Sequence, residues 1–248
     1  MRDGLEPLDV EGLRKLWNRV FTVPTGCRAL DRLLGGGLPS SHVTLVYGER
    51  SSGKTQLCHQ VVAHYLVSDP EALAIYVDVD LTFSPERLAS IAKRYGVSNS
   101  RDILSRALYY RPTTFEEQDR VLGLLDETYE DAPHGLVVVD SLSPLVRGEY
   151  GVAVVEMQRA LSSYVRRLQD YAIKRNVVVV VTDNVRLAKV QEREVLLPVS
   201  SQALELSITR LRLVRGPGNL RVCRLEASPI LPEGEVAFLI KEEGLVDL

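Results

Sequence analysis

The stretch Gly48-Glu49-Arg50-Ser51-Ser52-Gly53-Lys54-Thr55 fits the spacing G-x-x-x-x-G-K-[ST], and each of its parts has a chemical use. The glycines let the backbone curl until its N–H groups converge on phosphate oxygens. Lys54 then brings an ammonium to the β- and γ-phosphates, and Thr55 offers a hydroxyl to Mg2+. A helix that starts there adds its positive N-terminal end. The flanks agree. His42 to Tyr47 reads as a buried strand, and Gln56 to Tyr65 carries apolar residues at helical spacing.

Carboxylates at strand ends would complete such a site. Gly135 to Asp140 reads as a buried strand that ends in an acid. In an open parallel sheet, ligands bind beyond the carboxyl ends of the strands. Asp140 is therefore placed to hold Mg2+ through water; the plainer alternative is an aspartate that caps its own turn. Asp78, Asp80, Thr182, Asp183 and Asn184 stand at comparable positions. Asp80 is the candidate for orienting water against the γ-phosphate, with a turn or cap aspartate as the alternative. Thr182 and Asn184 are candidates for sensing that phosphate, or are simply satisfied strand ends. Lys54, Asp80 and Asn184 form the candidate catalytic set.

The elements that must position these groups alternate. Leu73–Asp78, Ala107–Tyr110 and Asn176–Asn184 read as further strands. Between them lie helices from Ser84-Pro85, from Phe115 to Tyr129 behind Thr114, and from Val152 to Ile173. Strands alternating with helices, several of them near-continuous valine, predict a mostly parallel sheet covered on both faces. The tail changes character. Ser207–Val214 and Leu220–Glu226 flank Arg215-Gly216-Pro217-Gly218-Asn219 as an antiparallel hairpin, with one more strand at Val236–Lys241. Residues 1–20 predict a short helical extension, with Asp9 as N-cap and Val10, Leu13, Leu16, Trp17 and Val20 on one face. Residues 21–248 form the core domain in this division.

Composition sets the limits. A chain of 248 residues with 45% hydrophobic and 25% charged residues is neither disordered nor fibrous. A net charge of −3 means that any nucleic-acid contact must come from a local basic patch. Three cysteines without C-x-x-C spacing argue against a disulfide frame or a zinc site. The run Val177–Val181 is too short to cross a bilayer, and the N-terminus lacks a signal-peptide core, so a cytoplasmic protein with no membrane partner is expected.

Several segments together resemble the RecA-type recombinases, in particular the archaeal and eukaryotic strand-exchange branch, over residues 22–248. Thr25-Gly26 to Gly35-Gly36-Gly37 is similar to the family's opening segment, and Gly48 to Gln56 to its phosphate loop. Tyr76-Val77-Asp78 with Leu81 to Leu88 resembles the segment of the catalytic carboxylate, Val139-Asp140-Ser141 the Mg2+ strand, and Leu231 to Glu235 the C-terminal signature. The short archaeal paralogue RadB is the nearest likeness. The resemblance implies a RecA-like P-loop ATPase core with ATP and Mg2+ as cofactors, Gln56 beside the nucleotide and Arg87 packed on the adenine. It also implies DNA and a RadA-type recombinase as partners, and it leaves self-association open.

The departures from that pattern carry information. Asp80 stands where the family has Glu, Leu81 where it has Gly, Asn184 where it has Gln, and Ala227 where it has the Asp before Ser-Pro. The loop between Tyr150 and Gln158 is short and lacks the family's Arg. These point to weak ATP hydrolysis and away from strand exchange. DNA contacts are expected from Arg186 and Lys189 after Asn184, and from Arg210, Arg212 and Arg215 in the hairpin, as phosphate neutralisation without base reading. The alternative reading is a KaiC-like regulatory ATPase that acts on a protein partner without DNA.

Overall fold

The valine runs are buried on both faces, which is what a parallel strand covered by helices on each side requires. Val178 to Val181 and Val137 to Val139 are wholly inaccessible to solvent. The computed structural model describes residues 9–12, 19–128, 135–190, 193–201 and 208–248.

In chain order the described elements begin with β1 (Thr22–Val23), α1 (Arg28–Leu33), β2 (Leu38–Pro39), β3 (His42–Gly48), α2 (Lys54–Ser68) and β4 (Ala74–Asp78). They continue with α3 (Pro85–Lys93), α4 (Ser100–Ser105), β5 (Ala107–Tyr110), α5 (Phe115–Thr128), β6 (Leu136–Asp140), α6 (Pro144–Tyr150), α7 (Val154–Arg175) and β7 (Val178–Asp183). Last come β8 (Val185–Val190), β9 (Arg193–Pro198), β10 (Thr209–Arg215), β11 (Leu220–Ala227), β12 (Gly234–Lys241) and β13 (Gly244–Asp247).

One nine-stranded sheet has the order β13-β12-β11-β10-β3-β7-β6-β4-β5. From β10 to β5 every neighbouring pair is parallel, and from β10 to β13 every pair is antiparallel. The expected fold class holds: a mostly parallel α/β core with helices on both faces and a C-terminal antiparallel hairpin. The hairpin is not an appendage, however, because β10 is an interior strand in parallel register with β3, Thr209 opposite Thr44 and Leu213 opposite Gly48. Side-chain parity divides the core. Val46, Tyr76, Val138 and Val180 pack with α2 on one face, and Leu45, Val77, Val139 and Val181 pack with α7 on the other.

Helix starts follow the sequence signals. Ser84 Oγ accepts from Arg87 N at 3.0 Å with Pro85 at the first helical position, and Thr114 Oγ1 accepts from Glu117 N at 3.1 Å. Asp9 Oδ1 accepts from Gly12 N at 2.7 Å, as an N-cap does, while Leu13, Leu16 and Trp17 lie outside the described residues. The long helix runs from Val154 to Arg175 rather than from Val152 to Ile173, because a separate helix, α6, ends at Tyr150 and is capped by Gly151 just before it. Among the described residues, Cys27, Cys58 and Cys223 are free and buried, and no helix is long and apolar enough to cross a membrane.

Candidate nucleotide site

The strand β3 ends at Gly48, and the chain turns through Glu49 to Gly53 into α2. Gly53 sits at φ 105°, in the left-handed region that a Cβ disfavours. At Gly48 the requirement is space: a Cβ there would stand 2.3 Å from the carbonyl oxygen of Leu213 in β10. That neighbour is backbone in an interior strand and has no way to move aside. Gly48→Ala is therefore expected to destabilise the fold by about 3 kcal/mol, the upper end for overpacking, as read from the urea midpoint.

Lys54 is 8% exposed, and its ammonium folds back to donate to Gly48 O at 2.9 Å, Glu49 O at 3.1 Å and Asn184 Oδ1 at 3.1 Å. Burial pulls its pKa down from the usual lysine value, against the pull of Asp140, Asp183 and Asp80. Thr55 Oγ1 donates to Asp140 Oδ2 at 2.7 Å. The same carboxylate accepts from the Tyr76 phenol at 2.8 Å and from the Thr182 hydroxyl. Burial, with Asp140 beside it, pushes the Tyr76 phenol well above its ordinary range, so it stays protonated and donates.

Parity explains which acids arrive here. Asp140 continues the α2 side of β6 after Leu136 and Val138, and Thr182 continues that side of β7. Asp183 points the other way, into a buried knot with Ser143 Oγ at 2.6 Å and the Ser200 amide at 2.7 Å. Asp78 is structural as well: it accepts from the amides of Thr82 and Phe83, both at 3.0 Å, and from Tyr109 OH at 3.1 Å, and so shapes the loop that carries Asp80. Asp80 Oδ2 accepts from Ser141 Oγ at 2.9 Å. Burial raises its pKa from the carboxylate norm, and the bond from Ser141 lowers it.

These groups share a cleft of about 600 Å³ lined by Arg50, Ser51, Gly53, Lys54, Thr55, Gln56, Asp80, Thr82, Asp140, Asn184, Arg221 and Ile240. That size suits a nucleotide. Among the described residues no cluster of three His, Cys, Asp or Glu could cage a metal by itself. One carboxylate and one hydroxyl fit Mg2+, which keeps most of its coordination for water and phosphate.

Arg87 is beside the cleft, not among its lining residues. Its guanidinium donates to Gln56 Oε1 at 2.6 Å, to Lys241 O at 2.7 Å and to Glu242 O. These bonds hold the guanidinium in one orientation beside the cleft. Ser52 is buried beneath the loop.

Thr82, His59, Arg221 and Ile240 were not singled out for this site by the sequence, and Tyr76 and Ser141 were quoted only as parts of resembling segments, with no role of their own. His59 bridges Thr55 O at 2.8 Å and the Ser84 amide at 2.9 Å, and so ties the first turn of α2 to the segment after Asp80. Its signal was its place one helical turn after Thr55, on the same helix face.

The basic residues expected to contact DNA do not form one patch, although Arg210 and Arg212 share a strand face as their alternation with Leu211 and Leu213 requires. Arg210 and Arg212 lie on the face of β10 away from α2, half-buried, with Arg212 3.6 Å from Glu226. Arg215 follows Leu211 and Leu213 onto the opposite face, across from Arg221. Arg224 is paired with Glu235 at 3.0 Å. Arg186 is exposed on β8, part of the separate β8–β9 ribbon, and donates to Ser201 Oγ at 2.9 Å. The Lys189 side chain lies outside the described residues.

A mostly parallel sheet with a phosphate loop after the interior strand β3, and an aspartate at the end of β6 with β7 between the two, fits a RecA-like α/β core. The chain belongs to the Rad51 family, which it matches over residues 17–248. It is 33% identical over 242 residues to the DNA repair protein RAD51 of Mycosarcoma maydis, covering 93% of this chain and 71% of that one. It is 34% identical over 241 residues to the DNA repair protein RAD51 homolog A of Zea mays, covering 92% and 70%. It is 33% identical over 238 residues to the DNA repair protein Rad51 homolog of Drosophila melanogaster, also covering 92% and 70%. These relatives are eukaryotic Rad51 proteins, so the archaeal RadB likeness holds only at the level of the family. The KaiC-like reading gains no support from them.

Proposed function

We propose that this chain is a RadB-like, ATP-binding accessory protein of homologous recombination and DNA repair, with slow ATP hydrolysis and weak, sequence-independent DNA binding. Residues 1–20 are its helical extension and residues 21–248 its ATPase core. The observation that carries this reading is the pairing of Lys54 with Asn184, and of Thr55 with Asp140, in one cleft. Backbone amides of residues 48–56 and the Lys54 ammonium would take the phosphates. Thr55 and Asp140 would hold Mg2+, which would neutralise phosphate charge. Asp80 would orient the attacking water, and Asn184 would sense the γ-phosphate through Lys54. The relatives' names support a role in DNA repair. A RadA-type recombinase is the expected partner, with self-association as a further possibility, in the cytoplasm.

ATP turnover of the full chain with and without single-stranded DNA tests the reading. Slow turnover that DNA hardly stimulates is expected; fast, DNA-dependent turnover makes the protein a recombinase in its own right. DNA affinity is expected to fall steeply with salt, because phosphate contacts release counterions. Arg186→Ala should weaken it uniformly across sequences, whereas Arg212→Ala should do little, since Glu226 already holds that side chain. A salt-insensitive affinity in filter binding contradicts this.

A further inference from the structure

The cleft has a second basic wall, apart from its phosphate loop. Arg221 of β11 and Ile240 of β12 line it. Arg221 is 9% exposed, and its Nη1 donates to Gly218 O at 3.1 Å and Leu220 O at 2.7 Å. Its Nε is shut away from solvent and has no hydrogen-bond partner among the described residues. A buried polar group left so is costly unless something completes it. Directly across the hairpin stands Arg215, in register with Arg221. Like charges opposite one another on neighbouring strands repel. Among the described residues no carboxylate forms an ion pair with either. Burial first, and then Arg215, pull the Arg221 pKa below its usual value.

Sheet order gives this pair a direction. Asp80, Asp140 and Asn184 follow β4, β6 and β7, on one side of β3, whereas Arg215 and Arg221 lie on β10 and β11, on the other. The cleft is thus acidic on its metal side and basic on its hairpin side. Arg221 Nε also comes within 3.8 Å of where a Cβ on Gly53 would stand, beside the first turn of α2.

We propose that Arg221, backed by Arg215, is an anion subsite that takes a non-bridging phosphate oxygen of the bound nucleotide, at the end of the polyphosphate remote from Asp80. This rests on the nucleotide reading above. Such a phosphate is common to nucleoside di- and triphosphates, so Arg221 engages both. Its remaining bonds go to the carbonyls of Gly218 and Leu220, so the same guanidinium ties the occupied cleft to the turn of the β10–β11 hairpin.

The test is calorimetric binding of MgATP and MgADP to the full chain, alongside melting without nucleotide and amide hydrogen exchange at residues 218–220. Arg221→Gln is expected to lose about tenfold in affinity for both, the worth of a charge-assisted hydrogen bond. Its melting temperature without nucleotide should hold or rise, because an unpaired buried charge has left. Nucleotide should slow exchange in the hairpin turn of the wild type and not of Arg221→Gln. Arg221→Lys, which keeps the charge and loses the fork, should fall between. Unchanged affinity in Arg221→Gln, with a lowered melting temperature, overturns the proposal and leaves Arg221 as a brace for the hairpin. A wild type that binds neither nucleotide overturns the nucleotide reading itself.

Discussion

Lys54→Ala is expected to lower affinity for MgATP about a hundredfold, the largest effect of any single change in this site. The structure gives the reason. The ammonium is nearly buried and is held by carbonyl and amide oxygens, each neutral. Such acceptors replace water imperfectly, which is why burial depresses its pKa. A polyphosphate supplies the missing anion at bonding distance. Hydrogen bonds to charged groups are worth about 1.5–3 kcal/mol, and about 2.7 kcal/mol is a factor of a hundred in affinity. Lys54→Arg should not rescue, because a planar fork does not fit the place of a compact ammonium. Titration with a fluorescent ATP analogue measures both variants. Undiminished binding by Lys54→Ala would remove the phosphate loop from the account.

The second large effect concerns turnover. Phosphoryl transfer is catalysed mainly by positioning and charge stabilisation. Asp80 is one methylene shorter than glutamate, a retreat of about 1.5 Å, the length of one C–C bond, and Ser141 holds its carboxylate at 2.9 Å. A misplacement of about 1 Å costs on the order of a hundredfold in rate. Asp80→Glu is therefore expected to raise ATP hydrolysis by up to about that factor. Adding Asn184→Gln should raise it again and make it respond to single-stranded DNA, since Asn184 is the side chain in contact with Lys54. Steady-state phosphate release from the wild type and the two variants decides the matter. A wild type that hydrolyses briskly and is slowed by Asp80→Glu would show that the backbone has already moved inward to restore the reach of Asp80.

Much of this was legible before any coordinates. The phosphate loop, the strand ending in Asp140 and the caps at Ser84 and Thr114 rest on local spacing, and local spacing is what a sequence displays. The hairpin was legible too, with Arg210 and Arg212 on one strand face, but Arg215 was named beside them without the same count. Counting alternate residues from Leu211 and Leu213 puts Arg215 with Arg221 and away from Arg210 and Arg212. The same count separates Asp140 and Thr182 from Asp183. Elements that escaped notice are short. In α4 (Ser100–Ser105) and β13 (Gly244–Asp247) too few residues repeat for a period to show. In α6 a proline at the first turn is offset by Gly148 within the helix. The β8–β9 ribbon pairs with itself and joins no sheet that an alternating strand-helix pattern would foretell.

The order of strands also bears on how the chain reaches its fold. The strand β3, which delivers the phosphate loop, finds both of its neighbours far along the chain: His42 pairs with Val178, and Thr44 with Thr209. Neither pairing forms until a long loop has closed, and such non-local contacts make folding slow. The phosphate cradle depends on both pairings, and chains that have not closed them would lack its native frame. A nucleotide that binds there selects the finished molecule and draws the equilibrium toward it by mass action. Refolding followed by nucleotide capture would time the completion of that frame.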